Sequence, residues 1–193
     1  MQPMSIAIKK QLPNLLTYSR IAVIPLLIAT FYIQGDLGHW LTAGLFCYAS
    51  VTDFLDGYLA RAWNVTTNLG RFLDPIADKL LVAAALILLV GADRADVLPA
   101  IAILMREIMV SGLREFLMEI RVSMPVSTLA KWKTGVQMGA LFFLLLGVGG
   151  PSWLHAETLG QILLWLAALL TLVTGYAYLR TGLQHMLNED AQD

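Results

Sequence analysis

The chain has 193 residues, of which 58% are hydrophobic and only 14% charged, with a formal net charge of −1. Such a composition excludes a disordered segment or an ordinary water-soluble domain and points to a polytopic membrane protein. The near-zero charge excludes a global basic field for nucleic acid, the single Cys47 excludes an intrachain disulfide, and His39, His155 and His185 match no zinc spacing.

A membrane-crossing helix needs about 20 mostly apolar residues. In chain order, residues 1–12 read as a short interfacial helix, with Ile6 and Ile8 inward and Lys9 and Lys10 toward lipid headgroups. Six spans follow, at 14–34, 40–62, 71–92, 97–119, 132–150 and 159–180. The first is long, runs into bulky residues and lacks a small-x-small cleavage pattern, so it reads as an uncleaved span and not a signal peptide. Turn residues mark the breaks: Gly35-Asp36-Leu37-Gly38, Asn64–Asn68, Asp93–Asp96, Ser123-Met124-Pro125 and Gly149-Gly150-Pro151. These links are too short for a soluble domain. The expected fold is therefore all-α, a bundle of six transmembrane helices, with residues 1–193 forming one membrane domain.

Basic residues orient the bundle. With six spans both termini share a side, and Lys9, Lys10, Arg20, Arg61, Arg71, Lys79, Arg106, Arg114, Arg121, Lys131, Lys133 and Arg180 all fall toward it. Only Arg94 lies in an opposite loop, so both termini are expected in the cytoplasm. Trp40 and Trp153 then mark the outer interface, and Trp63 and Trp132 the inner one.

The chemistry concentrates between Asp53 and Asp78, in the pattern Asp53-x2-Asp56-Gly57-x2-Ala60-Arg61-x8-Gly70-x3-Asp74-x3-Asp78. Helical periodicity puts Asp53, Asp56, Gly57 and Ala60 on one face at the cytoplasmic end of the second helix. Gly70, Asp74 and Asp78 share a face at the start of the third. If the two helices fold antiparallel, these faces meet as a cage of four carboxylates. Packing alone has no use for so many charges beside hydrocarbon. An all-oxygen cage suits Mg²⁺ or Mn²⁺, and four carboxylates can supply two ions able to bridge a pyrophosphate. Gly57, Ala60 and Gly70 would let a phosphorylated ligand approach the backbone, although small residues also serve tight helix packing. Arg61 is placed for a carboxylate or a substrate phosphate, or as a positive-inside anchor.

This pattern resembles the signature of the CDP-alcohol phosphatidyltransferases and matches it at every position. The resemblance implies a six-helix membrane enzyme, usually a homodimer, that moves a phosphatidyl group from CDP-diacylglycerol to an alcohol and releases CMP. It implies Asp53, Asp56 and Asp74 as metal ligands, and Asp78 as both ligand and general base. It also places Gly57, Ala60, Arg61 and Gly70, with Asp56, at the CDP moiety. No nucleophilic serine or cysteine is needed, so the acceptor is expected to attack directly.

The acceptor must be read elsewhere. Arg106-Glu107 and Arg114-Glu115 recur eight residues apart in the fourth helix, and Lys131 and Lys133 open the fifth. These cations can be structural counterions, or they can receive a second anion such as a phosphate. Arg106, Arg114 and Lys131 rank ahead of Lys133 for that role. Leu12-Pro13-Asn14-Leu15-Leu16-Thr17-x2-Arg20, Arg106-Glu107-Ile108, Leu113-Arg114-Glu115-Phe116 and Lys131-x-Lys133-Thr134-x2-Gln137-Met138 resemble the branch of the family that uses sn-glycerol 3-phosphate. That likeness implies phosphatidylglycerol phosphate as product, the inner (cytoplasmic) membrane of a bacterial cell as location, and Asn14 and Thr17 near the nucleotide. Helix capping is the alternative role for those two.

Three rivals compete. A family member taking another acceptor, such as inositol phosphate, would share the core motif. A membrane prenyltransferase would carry more spans and two separated aspartate clusters. A divalent-cation transporter would carry acidic residues through the membrane's depth, whereas here they gather at one end.

Overall fold

The computed structural model describes residues 6–63, 68–119 and 127–189. It contains six α-helices: α1 Ile6–Phe31, α2 Asp36–Trp63, α3 Asn68–Gly91, α4 Val97–Glu119, α5 Thr128–Leu146 and α6 Ala156–Glu189. Two short 3₁₀ turns, Gly147–Gly149 and Ser152–Leu154, join α5 to α6. The described residues are helical with no strands, as the apolar runs suggest. The links at 64–67 and 120–126, with Arg121, lie outside the described residues.

Two boundaries differ from the sequence reading. Residues 6–12 do not form a separate interfacial helix but run without a break into α1, even though Pro13 falls inside that helix. At the other end α6 runs on to Glu189, giving 34 residues, a rod of about 50 Å at 1.5 Å per residue. No proline or glycine pair interrupts it after 180, so the helix outlasts its apolar stretch.

Neighbouring helices run in the order α3–α1–α2–α5–α6–α4, and α4 returns to α3. The closest pairing is α5 with α6, and α1 packs on both α2 and α3. Contrary to the sequence expectation, α2 and α3 barely touch; α1 lies between their faces. The core is built of Leu27, Phe46, Leu86, Ile103, Leu144 and their neighbours, with alanines at the close approaches. Gly160 is one such approach: a Cβ there would stand 2.7 Å from Leu144 Cγ and 3.0 Å from the Leu144 nitrogen.

The perimeter is as apolar as the core, with Leu26, Ile87, Leu98, Ile108 and Leu169 all exposed. An apolar perimeter of this extent belongs in lipid and not in water. Two segments, Thr128–Gly149 and Ser152–Gly182, are each long and apolar enough to cross a membrane. Apolar helices and the exposed perimeter together mark an integral membrane protein.

Arg94, in the link between α3 and α4, is held at the end of the bundle away from the aspartates. Its Nη2 donates to the carbonyls of Leu144 (2.5 Å) and Leu145 (3.2 Å), which end α5, and it contacts His39 Nδ1 at 3.2 Å. A guanidinium is well placed at a helix C-terminus, where unpaired carbonyls gather partial negative charge. Phe31 packs against its other face, and Gln161 donates to its backbone carbonyl. Burial lowers the Arg94 pKa from its ordinary value, and Glu157 opposes that shift. The residue capping α5 is Gly147, with φ 47° and ψ −132°. A side chain there would run into the Arg94 guanidinium.

Candidate active site

The middle of α1, the C-terminal end of α2 and the N-terminal end of α3 bring the aspartates together around Arg20. Arg20 of α1 is completely buried, and its guanidinium bridges two carboxylates of α2. Nη1 pairs with Asp53 Oδ1 at 2.5 Å, an ion pair without hydrogen-bond alignment, and Nη2 donates to Asp56 Oδ2. One turn earlier on the same helix, Thr17 Oγ1 donates to Asp74 Oδ1 of α3 at 2.6 Å. Thr17 and Arg20 sit three residues apart and so share a face. That face separates α2 from α3 while touching three of their four aspartates. Arg20 is legible as a lone cation in an apolar run, which demands a partner; the sequence places it among the inner-side charges and in the Asn14–Arg20 motif without giving it a role in the site.

Among the described residues, no three His, Cys, Asp or Glu side chains gather tightly enough to hold one metal ion. Asp53 and Asp56 turn to Arg20, and Asp74 turns to Thr17. The donor set still fits a hard divalent cation. It is all oxygen, Asp53 and Asp74 lie within each other's electrostatic reach, and Asp78 lies within reach of Asp53. Asp53 remains 40% exposed, so the group is open to solvent on one side, whereas Asp56 is buried. Arg20 carries one charge against four, and among the described side chains neither Asp74 nor Asp78 forms an ion pair.

Pro75 follows Asp74 inside α3 and donates no backbone hydrogen bond to the preceding turn. Gly57 is partly buried beside Asp56, and Gly70 is buried at the start of α3. Asn14, Ala60 and Arg61 lie within α1 and α2, but their side chains are outside the described residues.

The basic residues of α4 and α5 divide into three groups. Lys133 is almost fully enclosed and pairs with Glu107 Oε1 of α4. Arg106 Nη1 reaches the same oxygen at 3.4 Å, and Asp78 is within electrostatic range of both Lys133 and Glu107. Arg114 lies farther along α4 and donates to the Tyr178 hydroxyl of α6 at 2.9 Å. Tyr178, unmarked in the sequence, also lies 5.7 Å from Arg106 and so sits against both arginines. Glu115 does not pair with Arg114; it accepts from Ser111, which accepts from Lys79.

Lys131 faces elsewhere. Two residues along a helix turn the side chain by about 200°, so Lys131 and Lys133 point to opposite sides. Lys131 is exposed on an apolar groove with Trp132, Gly135, Gly139 and Leu163. Of these two lysines, Lys133 is the one within electrostatic range of Asp78.

The family model for CDP-alcohol phosphatidyltransferases matches residues 10–173. The chain belongs to this family. The match runs from Lys10 in α1 through α5 and into about the first half of α6, including every aspartate described above. Members of the family generally use divalent metals, in keeping with the oxygen-only donor set. The chain is 53% identical over 173 residues to a CDP-diacylglycerol–glycerol-3-phosphate 3-phosphatidyltransferase of Rickettsia bellii, covering 90% of this chain and 96% of that one. It is 40% identical to a protein of the same name from Haemophilus influenzae, covering 93% and 97%, and 37% identical to one from Cereibacter sphaeroides, covering 92% and 98%.

Proposed function

We propose that the protein transfers the phosphatidyl group of CDP-diacylglycerol to sn-glycerol 3-phosphate, forming phosphatidylglycerol phosphate and CMP. The observation that carries this reading is the placement of Lys133 and Arg106 on a single oxygen of Glu107, within electrostatic range of Asp78. An acceptor that brings its own phosphate needs cations close to the group that takes its proton, and these residues supply them. The names of the relatives support the same acceptor.

The reaction follows from the residues. Lys133 and Arg106 hold the acceptor's phosphate, with Arg114 flanking it. Asp78 takes the proton of the acceptor hydroxyl as its oxygen attacks the phosphorus bearing diacylglycerol. A new oxygen–phosphorus bond forms, the bond from that phosphorus to CMP breaks, and CMP leaves with the electron pair. Asn14, Thr17, Gly57, Ala60, Arg61 and Gly70 surround the CDP moiety, with Asp56 at its edge. Asp53, Asp56, Asp74 and Asp78 would hold Mg²⁺ or Mn²⁺, as two ions, supplying charge neutralisation to the pyrophosphate and the departing CMP.

The six helices cross the inner membrane of a bacterial cell, with both termini and the aspartates on the cytoplasmic side. The water-soluble acceptor reaches Asp53 and Asp78 from that side, while CDP-diacylglycerol arrives from the bilayer. The working unit is a homodimer. A panel of acceptors offered to the purified protein with CDP-diacylglycerol tests the assignment. Glycerol 3-phosphate should drive CMP release far faster than inositol phosphate, serine or choline; equal rates would reject it.

A further inference from the structure

Arg20 is the most enclosed charge among the described residues and the only described cation that touches two of the candidate ligand carboxylates. A buried guanidinium is costly unless its partners are fixed, so α1, Arg20 and the two aspartates of α2 form one rigid unit. Its planar fork spans Asp53 and Asp56, which stand one helical turn apart, and a lysine's single ammonium cannot reproduce that. The guanidinium takes one oxygen from each carboxylate, Oδ1 of Asp53 and Oδ2 of Asp56, and does not use the other. Thr17 likewise donates to Asp74 at Oδ1. The same face of α1 therefore turns three carboxylates on two different helices.

We propose that Arg20 is a positioning residue for the divalent-cation site, orienting Asp53 and Asp56 so that their remaining oxygens face the ion. It stays on both carboxylates when the ion binds, and Thr17 extends the same role to Asp74. Hydrogen-bonded partners of ligating carboxylates commonly govern metal affinity by 10- to 100-fold. A completely buried guanidinium has no exposed position to move to without unpacking α1 from α2. This role rests on the metal reading given above, and one titration separates the two.

The test is Mn²⁺ binding to the full-length, detergent-purified protein, read by electron paramagnetic resonance without substrates. Wild type should bind, and R20K, which keeps the charge and loses the fork, should bind about 10- to 100-fold more weakly with unchanged helix content in EDTA. R20K binding as tightly as wild type, or more tightly, would overturn the role of Arg20 and leave the metal reading standing. No Mn²⁺ binding by wild type would overturn both. Should R20K not fold, an experimental structure of wild type with Mn²⁺ decides. The guanidinium on both Asp53 and Asp56 supports the proposal, and a guanidinium displaced from either one refutes it.

Discussion

Lys133 of α5 and Glu107 of α4 form an ion pair inside the bundle, with the lysine almost fully enclosed and Arg106 sharing the same carboxylate oxygen at 3.4 Å. Glu107 thereby holds two cations together within electrostatic range of Asp78, in the arrangement an incoming phosphate would find useful.

Replacing Lys133 should therefore damage acceptor binding. A charge-assisted hydrogen bond contributes about 1.5–3 kcal/mol, so Lys133→Met should raise KM for glycerol 3-phosphate by roughly 10- to 100-fold. KM for CDP-diacylglycerol should change much less. Lys131→Ala, on the opposite side of α5, should change either constant by less than about threefold, as expected for an exposed charge. Steady-state kinetics with both substrates varied will check this, and the reverse order of effects would contradict the geometry.

Arg94 should matter for stability and not for catalysis. Its bonds to the Leu144 and Leu145 carbonyls close the end of α5 at the far side of the bundle. Arg94→Leu should cost about 1.5–3 kcal/mol, seen as a lower Tm in detergent, with KM for both substrates unchanged in the folded fraction. An unaltered Tm would show that the cap does not contribute.

Gly160 tests the closest helix crossing. An added methyl would press on the backbone nitrogen and side chain of Leu144, and the nitrogen cannot yield. Gly160→Ala should cost about 1–3 kcal/mol from overpacking. Gly112→Ala on α4, where nothing stands within 4 Å of the new methyl, should be neutral or stabilising by roughly 0.5–1 kcal/mol. Thermal unfolding of the two variants should move in these different directions.

Chelation should stop the reaction without unfolding the protein. EDTA should abolish CMP release while circular dichroism keeps its helical signal, and Mg²⁺ or Mn²⁺ should restore turnover. Turnover that persists in EDTA would exclude a metal role for Asp53, Asp56, Asp74 and Asp78.

The helices were legible because apolar runs of membrane length, broken by glycine and proline, leave few alternative elements. The aspartate motif was equally plain, since charge beside hydrocarbon needs a purpose. Their three-dimensional relation was not. Nothing in the spacing of Asp53 to Asp78 says that α1 comes between α2 and α3, because that depends on packing between segments distant in sequence. Arg20 was consequently counted as a topological marker. Lys131 and Lys133 read as one basic pair at the start of α5, yet their separation of about 200° on a helix places them on opposite sides. Arg94 stood out as an exception to the charge bias, and its role emerged only with the carbonyls at the end of α5.

The central claim is that Asp78 takes the proton of glycerol 3-phosphate beside the other aspartates. Labelled glycerol 3-phosphate, supplied with CDP-diacylglycerol to wild type and Asp78→Asn, tests it most directly. Wild type should place the label in phosphatidylglycerol phosphate with one CMP released per label. The variant should remain folded and lose about 10²- to 10⁴-fold in kcat, the usual contribution of a positioned base. Equal incorporation by the variant, or none by wild type, would contradict the account.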